Sequence, residues 1–275
     1  MNSFSDKVML YLEKNLEAKL LNYKTYGEGT PIYFIHGNCL SLESMSYIYE
    51  PLFKMHRYKR IYVDLPGMGD SEANYNLDSS SKIIESLSTL IDELTPDEKF
   101  YLVGHSYGGY LSLGINNIRN NDAIGVFLTC PVVYAESDSR KVEKHKSFIQ
   151  EDFRAEDSLF DDYLDMNVMI NKDTWKMYQQ TIKPGIEQCD MKYNEFLNRD
   201  AGKYYKLDNE HELYKISNKG TIILGKYDHI VGYQDQIKET MNSNFEIHLL
   251  DNAGHNLMID DTTFLYSIAR RFFDL

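Results

Sequence analysis

Cysteine is scarce in this sequence, and the spacing of the cysteines matches neither a disulfide framework nor a metal site. The three cysteines, Cys39, Cys130 and Cys189, are odd in number and include no Cys-x-x-Cys pair. Small secreted proteins held by disulfide bonds and structural zinc sites both need more cysteines at closer spacing. We therefore expect a reduced, cytoplasmic protein without a metal site.

Long apolar runs and clusters of basic charge are also missing. No stretch approaches the roughly 18 apolar residues that span a bilayer, and the N-terminal residues lack the basic-then-apolar order of a signal peptide. The chain carries 29 basic and 42 acidic side chains, a formal net charge of −13. Because nucleic acids and anionic membranes attract clustered lysine and arginine, we expect neither as the main partner.

The sequence does contain enough apolar material for a core. Its 275 residues are 43% hydrophobic and 13% aromatic, with 22 tyrosines. A chain of this length buries roughly three quarters of the surface that it exposes when unfolded. This composition is typical of a folded globular protein and excludes a disordered one.

Short apolar runs alternate with stretches of helical spacing along the chain. Apolar runs without strict alternation predict parallel strands buried on both faces; such runs begin at Pro31, Arg60, Phe100, Asp122, Gly220 and Phe245. Between them, apolar residues recur with the period of an amphipathic helix; the clearest stretches are 42–55, 82–94 and 257–273. Strands alternating with helices predict an α/β fold with a mainly parallel sheet.

The segment before the first of these runs is ambiguous. Residues 8–12 and 16–26 could form an antiparallel hairpin at the edge of the sheet. Residues 6–21 could equally form a helix.

A long segment separates the fourth and fifth predicted strands. It has about 90 residues, more than a crossover connection between parallel strands needs. The segment is charged but also holds large aromatic side chains, which favour burial over disorder. We predict a helical cap at 134–215, inserted into an α/β core formed by 1–133 and 216–275.

The sequence Gly-His-Ser-Tyr-Gly at 104–108 is the clearest sign of chemistry. It has the form Gly-x-Ser-x-Gly and lies between a predicted strand and a segment compatible with a helix. A serine in this context turns sharply from strand to helix, and flanking glycines avoid the clashes of such a turn. The turn raises the hydroxyl group to a helix N-terminus, where N–H groups stabilise a developing anion. Ser106 is therefore the candidate nucleophile.

A serine hydroxyl group needs a base, and the base needs an acid that orients it. In this architecture the order along the chain is serine, then an acidic residue, then histidine. Asp228 follows the fifth predicted strand, and His255 follows the sixth. Loops after parallel strands gather at one edge of a sheet, where ligands bind. We predict that Ser106, Asp228 and His255 form a catalytic triad.

The negative oxygen of the reaction intermediate needs two N–H donors. The first would be Tyr107, the residue after the nucleophile, and the second would come from the loop after the first predicted strand. There we predict Asn38, with Cys39 as the alternative. Gly37 would let the backbone approach the substrate, whereas His36 would brace the loop through hydrogen bonds.

Three residues are candidates for substrate binding. Gly37 and Cys39 belong to the loop just described, and Trp175 lies in the predicted cap. Aromatic residues of the cap suit an apolar acyl pocket, although packing in a core explains them equally well.

Together these motifs resemble the α/β-hydrolase superfamily. The ordered motifs that carry the resemblance are Phe-Ile-His-Gly-Asn at 34–38, Asp-Leu-Pro-Gly-Met-Gly-Asp-Ser at 64–71, Gly-His-Ser-Tyr-Gly-Gly at 104–109, Gly-Lys-Tyr-Asp at 225–228 and Ala-Gly-His at 253–255. The resemblance implies an eight-stranded, mainly parallel sheet flanked by helices, with a helical cap inserted after strand six. It also implies Ser106 as nucleophile, His255 as base, Asp228 as orienting acid, and no metal or organic cofactor.

The resemblance also narrows the reaction. Epoxide hydrolases and haloalkane dehalogenases of this superfamily have aspartate at the nucleophile position, which Ser106 argues against. Proline iminopeptidases typically show Gly-Gly-Ser-Trp-Gly, whereas this chain has His105 and Tyr107. The motif is more similar to those of bacterial esterases, cofactor-free haloperoxidases and meta-cleavage C–C hydrolases.

We therefore expect a serine hydrolase that cleaves a small apolar or aromatic ester through an acyl-enzyme intermediate. Two alternatives stay open: an aminopeptidase of the proline iminopeptidase type and a hydrolase of C–C bonds. The aminopeptidase would need a carboxylate in the cap to anchor the substrate amine. A non-catalytic ligand-binding protein fits less well, because all three triad residues are present.

Overall fold

A computed structural model describes residues 21–199 and 204–275. Its strands are β1 (Tyr23–Tyr26), β2 (Thr30–Ile35), β3 (Tyr58–Val63), β4 (Phe100–His105), β5 (Ala123–Thr129), β6 (Phe148–Ile149), β7 (Met169–Ile170), β8 (Lys219–Gly225) and β9 (Phe245–Leu250). Its helices are α1 (Leu42–Phe53), α2 (Ser80–Leu94), α3 (Tyr107–Ile118), α4 (Phe160–Met166), α5 (Lys172–Thr181), α6 (Lys183–Gln188), α7 (Met191–Leu197), α8 (Gln234–Thr240), α9 (Leu257–Asp260) and α10 (Thr262–Phe273). Within the described ranges, none of these helices is both long enough and apolar enough to cross a bilayer.

A mainly parallel sheet forms the centre of the molecule. Its strand order is β1-β3-β2-β4-β5-β8-β9, with β4 in the middle. β1 pairs antiparallel with β3 at one edge, and every other neighbouring pair is parallel. The predicted α/β fold is thus confirmed. Eight strands were expected, and the described part of the chain supplies seven to this sheet.

The antiparallel edge strand lies where the sequence allowed one. β1 falls within the segment 16–26, but it pairs with β3 and not with a neighbouring half of a hairpin. Residues 8–12 lie outside the described residues, and so does all but the end of the alternative helix at 6–21.

Helix α2 shows how the sequence directs this packing. Its apolar stripe is buried against the core, including Ile83, Leu87 and Ile91. The side chain of Ser79 accepts a hydrogen bond from the N–H of Lys82 and so caps the helix start.

The helix predicted over 257–273 is two helices, α9 and α10. Asp261 interrupts it with φ −145° and ψ 70°, values outside the helical region. The side chain of Asp261 then accepts the N–H of Phe264 and starts α10. The break was missed because apolar spacing continues across it, whereas the cap depends on a single residue.

Between β5 and β8 the chain leaves the sheet. This inserted segment, residues 130–218, contains α4 to α7 and the two-stranded sheet of β6 and β7. Five of its aromatic side chains were predicted to favour burial. Tyr163, Trp175 and Tyr178 pack together with Phe160, and Phe196 packs partly buried against the main core. Tyr204 is exposed, so the prediction is wrong for that residue. The expected helical insertion is therefore present; the predicted domain bounds, 134–215 for the cap, stay a prediction.

Candidate active site

Ser106 stands at a sharp turn between β4 and α3. Its backbone has φ 53° and ψ −117°, a combination that residues other than glycine rarely adopt and that costs roughly 1–3 kcal/mol. Backbone hydrogen bonds hold it there: its N–H donates to the carbonyl oxygen of Thr129 at 3.0 Å, and its carbonyl oxygen accepts from Val132 at 3.1 Å. The strain is therefore maintained by β5 and the residues that follow it.

The first glycine of the Gly-x-Ser-x-Gly motif makes this turn possible. A Cβ atom at Gly104 would lie 2.6 Å from the carbonyl oxygen of Gly108 and 2.6 Å from the hydroxyl oxygen of Ser112. Strand and helix therefore approach more closely than any side chain at this position would permit.

Ser106, His255 and Asp228 form a continuous chain of hydrogen bonds. Nε2 of His255 lies 3.0 Å from Oγ of Ser106. Nδ1 of His255 lies 2.8 Å from Oδ2 of Asp228. The three residues follow the carboxyl ends of β4, β9 and β8, respectively, and all are buried. The structure thus brings together the three residues that the sequence selected, in the geometry of a nucleophile, a general base and an orienting acid.

Asp228 is ionised although it is completely buried. Burial opposes its charge, but the electrostatic interaction with His255, the hydrogen bond to it and two backbone N–H groups outweigh burial and hold the pKa of Asp228 below its usual value. Those N–H groups belong to Ile230 and Val231, each 2.9 Å from Oδ1. An ionised carboxylate keeps the proton of His255 on Nδ1 and leaves Nε2 free to accept one from Ser106.

Two further histidines at the site are neutral. Burial and repulsion from His255 lower the pKa of His105 to about 3. Burial also lowers the pKa of His36. Its Nε2 accepts the N–H of Leu65 at 3.0 Å, and its Nδ1 donates to the carbonyl oxygen of Gly37 at 2.7 Å. These contacts agree with the prediction that His36 braces the loop.

The two predicted oxyanion donors lie on opposite sides of Ser106 in the chain. Tyr107 is the first residue of α3, so its N–H is one of the helix's initial donors without an acceptor inside the helix. Asn38 lines the cavity beside Ser106. These positions suit the predicted roles, which stay predictions.

A cavity of about 170 Å³ opens at Ser106. The sheet-end loops line it with Gly37, Asn38, Cys39, Leu40, His105, Ser106, His255 and Asn256. The inserted segment adds Asp162, Met166, Ile182 and Ile186. Because a cavity of roughly 150 Å³ holds one benzene molecule, this one has room for a short acyl chain or a single ring.

Of the three candidate substrate-binding residues, two line the cavity and one does not. Gly37 and Cys39 line the cavity. Trp175 does not: it stacks on Tyr178 at 5.5 Å between ring centroids and contacts Phe160 edge-on at 5.1 Å, inside the aromatic cluster of the inserted segment. This packing agrees with the alternative explanation for the aromatic residue, and its predicted role in substrate binding stays a prediction.

Sequence reasoning missed the cavity residues of the inserted segment. Ile182 and Ile186 are four positions apart, and this spacing places them on one face of a helical segment. Nothing in the sequence shows that this face meets Ser106, since the contact depends on how the inserted segment lies on the sheet.

Within residues 21–199 and 204–275, one group of side chains brings metal-ligating atoms close together. Cys130, Asp228 and His255 offer ligand atoms within 4.8 Å of one another. Asp228 and His255 already bind each other through those atoms. Burial raises the pKa of Cys130 well above its usual value, which keeps the thiol protonated and makes it a poor ligand. Proton transfer therefore suits this group better than metal binding.

Comparisons with known proteins extend over most of the chain. The pattern of the alpha/beta hydrolase family matches residues 32–265. The crystal structure of an alpha/beta superfamily hydrolase from Oenococcus oeni is 38% identical, with a TM-score of 0.87 over 92% of this chain and 95% of its own. A thermophilic esterase from Thermogutta terrifontis has a TM-score of 0.69 at 18% identity, over 92% of this chain and 93% of its own, and shares the fold.

A curated plant relative gives a shorter match. Methylesterase 8 from Arabidopsis thaliana is 31% identical over 97 residues. That match spans 34% of this chain and 35% of the plant protein, so it covers little more than a third of either.

Proposed function

The chain belongs to the alpha/beta hydrolase family, and on that premise we propose that it is a serine carboxylesterase for a small apolar or aromatic ester. The observation that carries the proposal is the chain of hydrogen bonds through Ser106, His255 and Asp228 beside a small cavity. The name of the plant relative, methylesterase, adds support for an ester as substrate.

In the proposed reaction, Nε2 of His255 takes the proton of Ser106 while Oγ attacks the ester carbonyl carbon. The N–H groups of Asn38 and Tyr107 bind the oxygen that becomes negative. Collapse of the tetrahedral intermediate breaks the bond to the alcohol, which receives the proton from His255. A water molecule, deprotonated by His255 in the same way, then attacks the acyl-enzyme and releases the acid.

We also propose that the inserted segment acts as a cap over the site. Met166, Ile182 and Ile186 supply apolar wall to the cavity from that segment. They would bind the acyl group and exclude water from it. We place this reaction in the cytoplasm, with a small-molecule substrate and no cofactor.

The experiment is hydrolysis of p-nitrophenyl esters from acetate to decanoate by the wild-type protein and by Ser106→Ala. We expect activity that peaks at short acyl chains, because the cavity holds about 170 Å³, and a loss of roughly 1,000-fold or more in kcat for the variant. Ser267→Ala, a change at an exposed serine of α10, is the matched control and should keep full activity. Comparable turnover by Ser106→Ala and the wild type would exclude the mechanism.

A second candidate, an aminopeptidase, draws support from one observation. Asp162 of the inserted segment lines the cavity, and its carboxylate accepts a hydrogen bond from the hydroxyl group of Tyr178. A carboxylate there could bind the ammonium group of a peptide N-terminus. Alanine and proline p-nitroanilides added to the same panel test this candidate, and faster cleavage of the anilides than of the esters would favour it.

A further inference from the structure

Two of the three cysteines meet at the edge of the active site although 150 positions separate them in the chain. The Sγ atoms of Cys39 and Cys189 lie 2.7 Å apart. Cys39 belongs to the loop after β2 and lines the cavity at Ser106. Cys189 directly follows α6 of the inserted segment. The pair therefore lies where the inserted segment contacts the loop after β2, which carries the predicted oxyanion donor Asn38.

Backbone contacts on both sides of Cys189 hold this arrangement. A Cβ atom at Gly185 would lie 2.5 Å from Cα of Leu40 and 2.9 Å from the carbonyl oxygen of Cys39, so α6 packs directly on the loop backbone. After Cys189, the N–H of Asp190 donates to the carbonyl oxygen of Gly67 at 2.8 Å. These backbone contacts thus bring the two thiols close together.

The two thiols differ in acidity. The hydrogen bond that they share lowers the pKa of Cys189 and, together with burial, raises the pKa of Cys39. Both side chains are half-buried, whereas Cys130 is fully buried. Cys189 is thus the cysteine that more readily forms the reactive thiolate. A small oxidant can reach the pair through the cavity.

We propose that Cys39 and Cys189 are an oxidation site, which a hydroperoxide converts into a disulfide bond between the inserted segment and the loop beside Ser106. The thiolate of Cys189 attacks one oxygen of hydrogen peroxide, the O–O bond breaks, and sulfenic acid and hydroxide form. The sulfur of Cys39 then attacks the sulfur of Cys189, and water leaves. Two thiols lose two electrons and two protons in total, and one peroxide becomes two waters.

This disulfide would join two parts of the active-site wall. In a reducing cytoplasm the pair exists as thiols, and the bond forms only when hydroperoxides exceed the reducing capacity. The closed loop is long, so the cross-link should raise the melting temperature. Formation of this bond does not depend on the proposed function.

The test treats the full chain with hydrogen peroxide or with dithiothreitol, unfolds it in denaturant so that the buried Cys130 is also accessible, alkylates free thiols and maps the peptides by mass spectrometry without reduction. We expect a peptide that links Cys39 to Cys189, alkylation of Cys130 alone, and a rise in Tm of roughly 5 °C or more. Dithiothreitol should reverse all three. Cys189→Ser should abolish the link and the rise in Tm, whereas the matched variant Cys130→Ser should keep both.

The inference fails if peroxide leaves Cys39 and Cys189 alkylated, oxidises them without a link, or links only separate molecules. The wild-type peptide map decides this even if a variant fails to fold. Because the readouts are mass and Tm, they are independent of ester hydrolysis. A disulfide link in a protein without esterase activity would reject the proposed function and retain the oxidation site. Esterase activity in a protein that forms no link would reject the oxidation site and retain the proposed function.

Discussion

At the scale of single residues, each member of the hydrogen-bonded chain depends on a neighbour for its chemical state. Asp228 keeps its charge because His255 and the N–H groups of Ile230 and Val231 compensate for burial. His255 is oriented by Asp228, and only then is Nε2 available to Ser106 at 3.0 Å. Loss of one residue therefore disables the others as well.

Asp162 is the residue whose charge separates the two candidate functions. In an esterase, its carboxylate opposes binding of an apolar ester, so Asp162→Asn should lower KM for p-nitrophenyl butyrate by a fewfold, about 1 kcal/mol. The amide oxygen can still accept the hydrogen bond from Tyr178. In an aminopeptidase the same change should raise KM for alanine p-nitroanilide.

The matched control for this prediction is Asp161→Asn, at a side chain 73% exposed to solvent. It removes the same charge one residue away from the cavity position and should leave KM for both substrates unchanged. Equal effects of the two substitutions would show that Asp162 acts only through the net charge of the protein.

At the scale of elements, one carboxylate ties the inserted segment to the loop that carries His255. Asp260, at the end of α9, accepts the N–H groups of Val168 and Met169 through Oδ1 and that of Gly254 through Oδ2, each at 2.9 Å. Burial nevertheless raises the pKa of Asp260 to about 7, since three N–H groups do not replace the lost water.

This raised pKa predicts a pH-dependent contribution to stability. The folded protein binds the Asp260 proton more tightly than the unfolded chain, so the contribution is fully present below about pH 4 and is lost as pH rises through 7. Between pH 5 and pH 8 it should fall by about 2–3 kcal/mol. Urea unfolding of the wild type and of Asp260→Asn measures the difference in the free energy of unfolding, which should shrink over this range. A difference that stays constant with pH would contradict the prediction.

The helices and strands of the core were predictable because each one has a local cause. Ile83, Leu87 and Ile91 recur with the period of a helix, and their stripe is buried in α2. The break at Asp261 was not predictable from that period, because a side-chain cap competes with a continuing apolar stripe. The packing of Trp175 in the aromatic cluster was not predictable for a related reason. An aromatic side chain gives the same sequence pattern whether it faces a ligand or a packed interior.

At the scale of the whole molecule, the parallel sheet explains why distant motifs form one site. The carboxyl ends of β4, β8 and β9 lie at the same edge, so Ser106, Asp228 and His255 meet although they are far apart in the chain. The order of these motifs along the chain was therefore sufficient to select them.

No comparable sequence rule predicts the contacts between the inserted segment and the sheet. Cys39 and Cys189 are in contact although 150 positions separate them. Their spacing in the sequence shows that they form no common cysteine motif, but it does not predict this contact. The lining of the cavity by Ile182 and Ile186 was equally hidden. Both depend on the packing of one substructure on another, which is specified by many weak contacts and not by a motif.

The most direct test of the central claim is covalent labelling with a fluorophosphonate, followed by intact-mass measurement and peptide mapping. An activated serine attacks this reagent without any contribution from substrate specificity, so the result is independent of the natural ester. We predict one adduct per chain, located on Ser106, and a loss of labelling rate of roughly 1,000-fold or more in folded His255→Ala. A folded wild-type protein that stays unlabelled, or one labelled at another residue, would contradict the account.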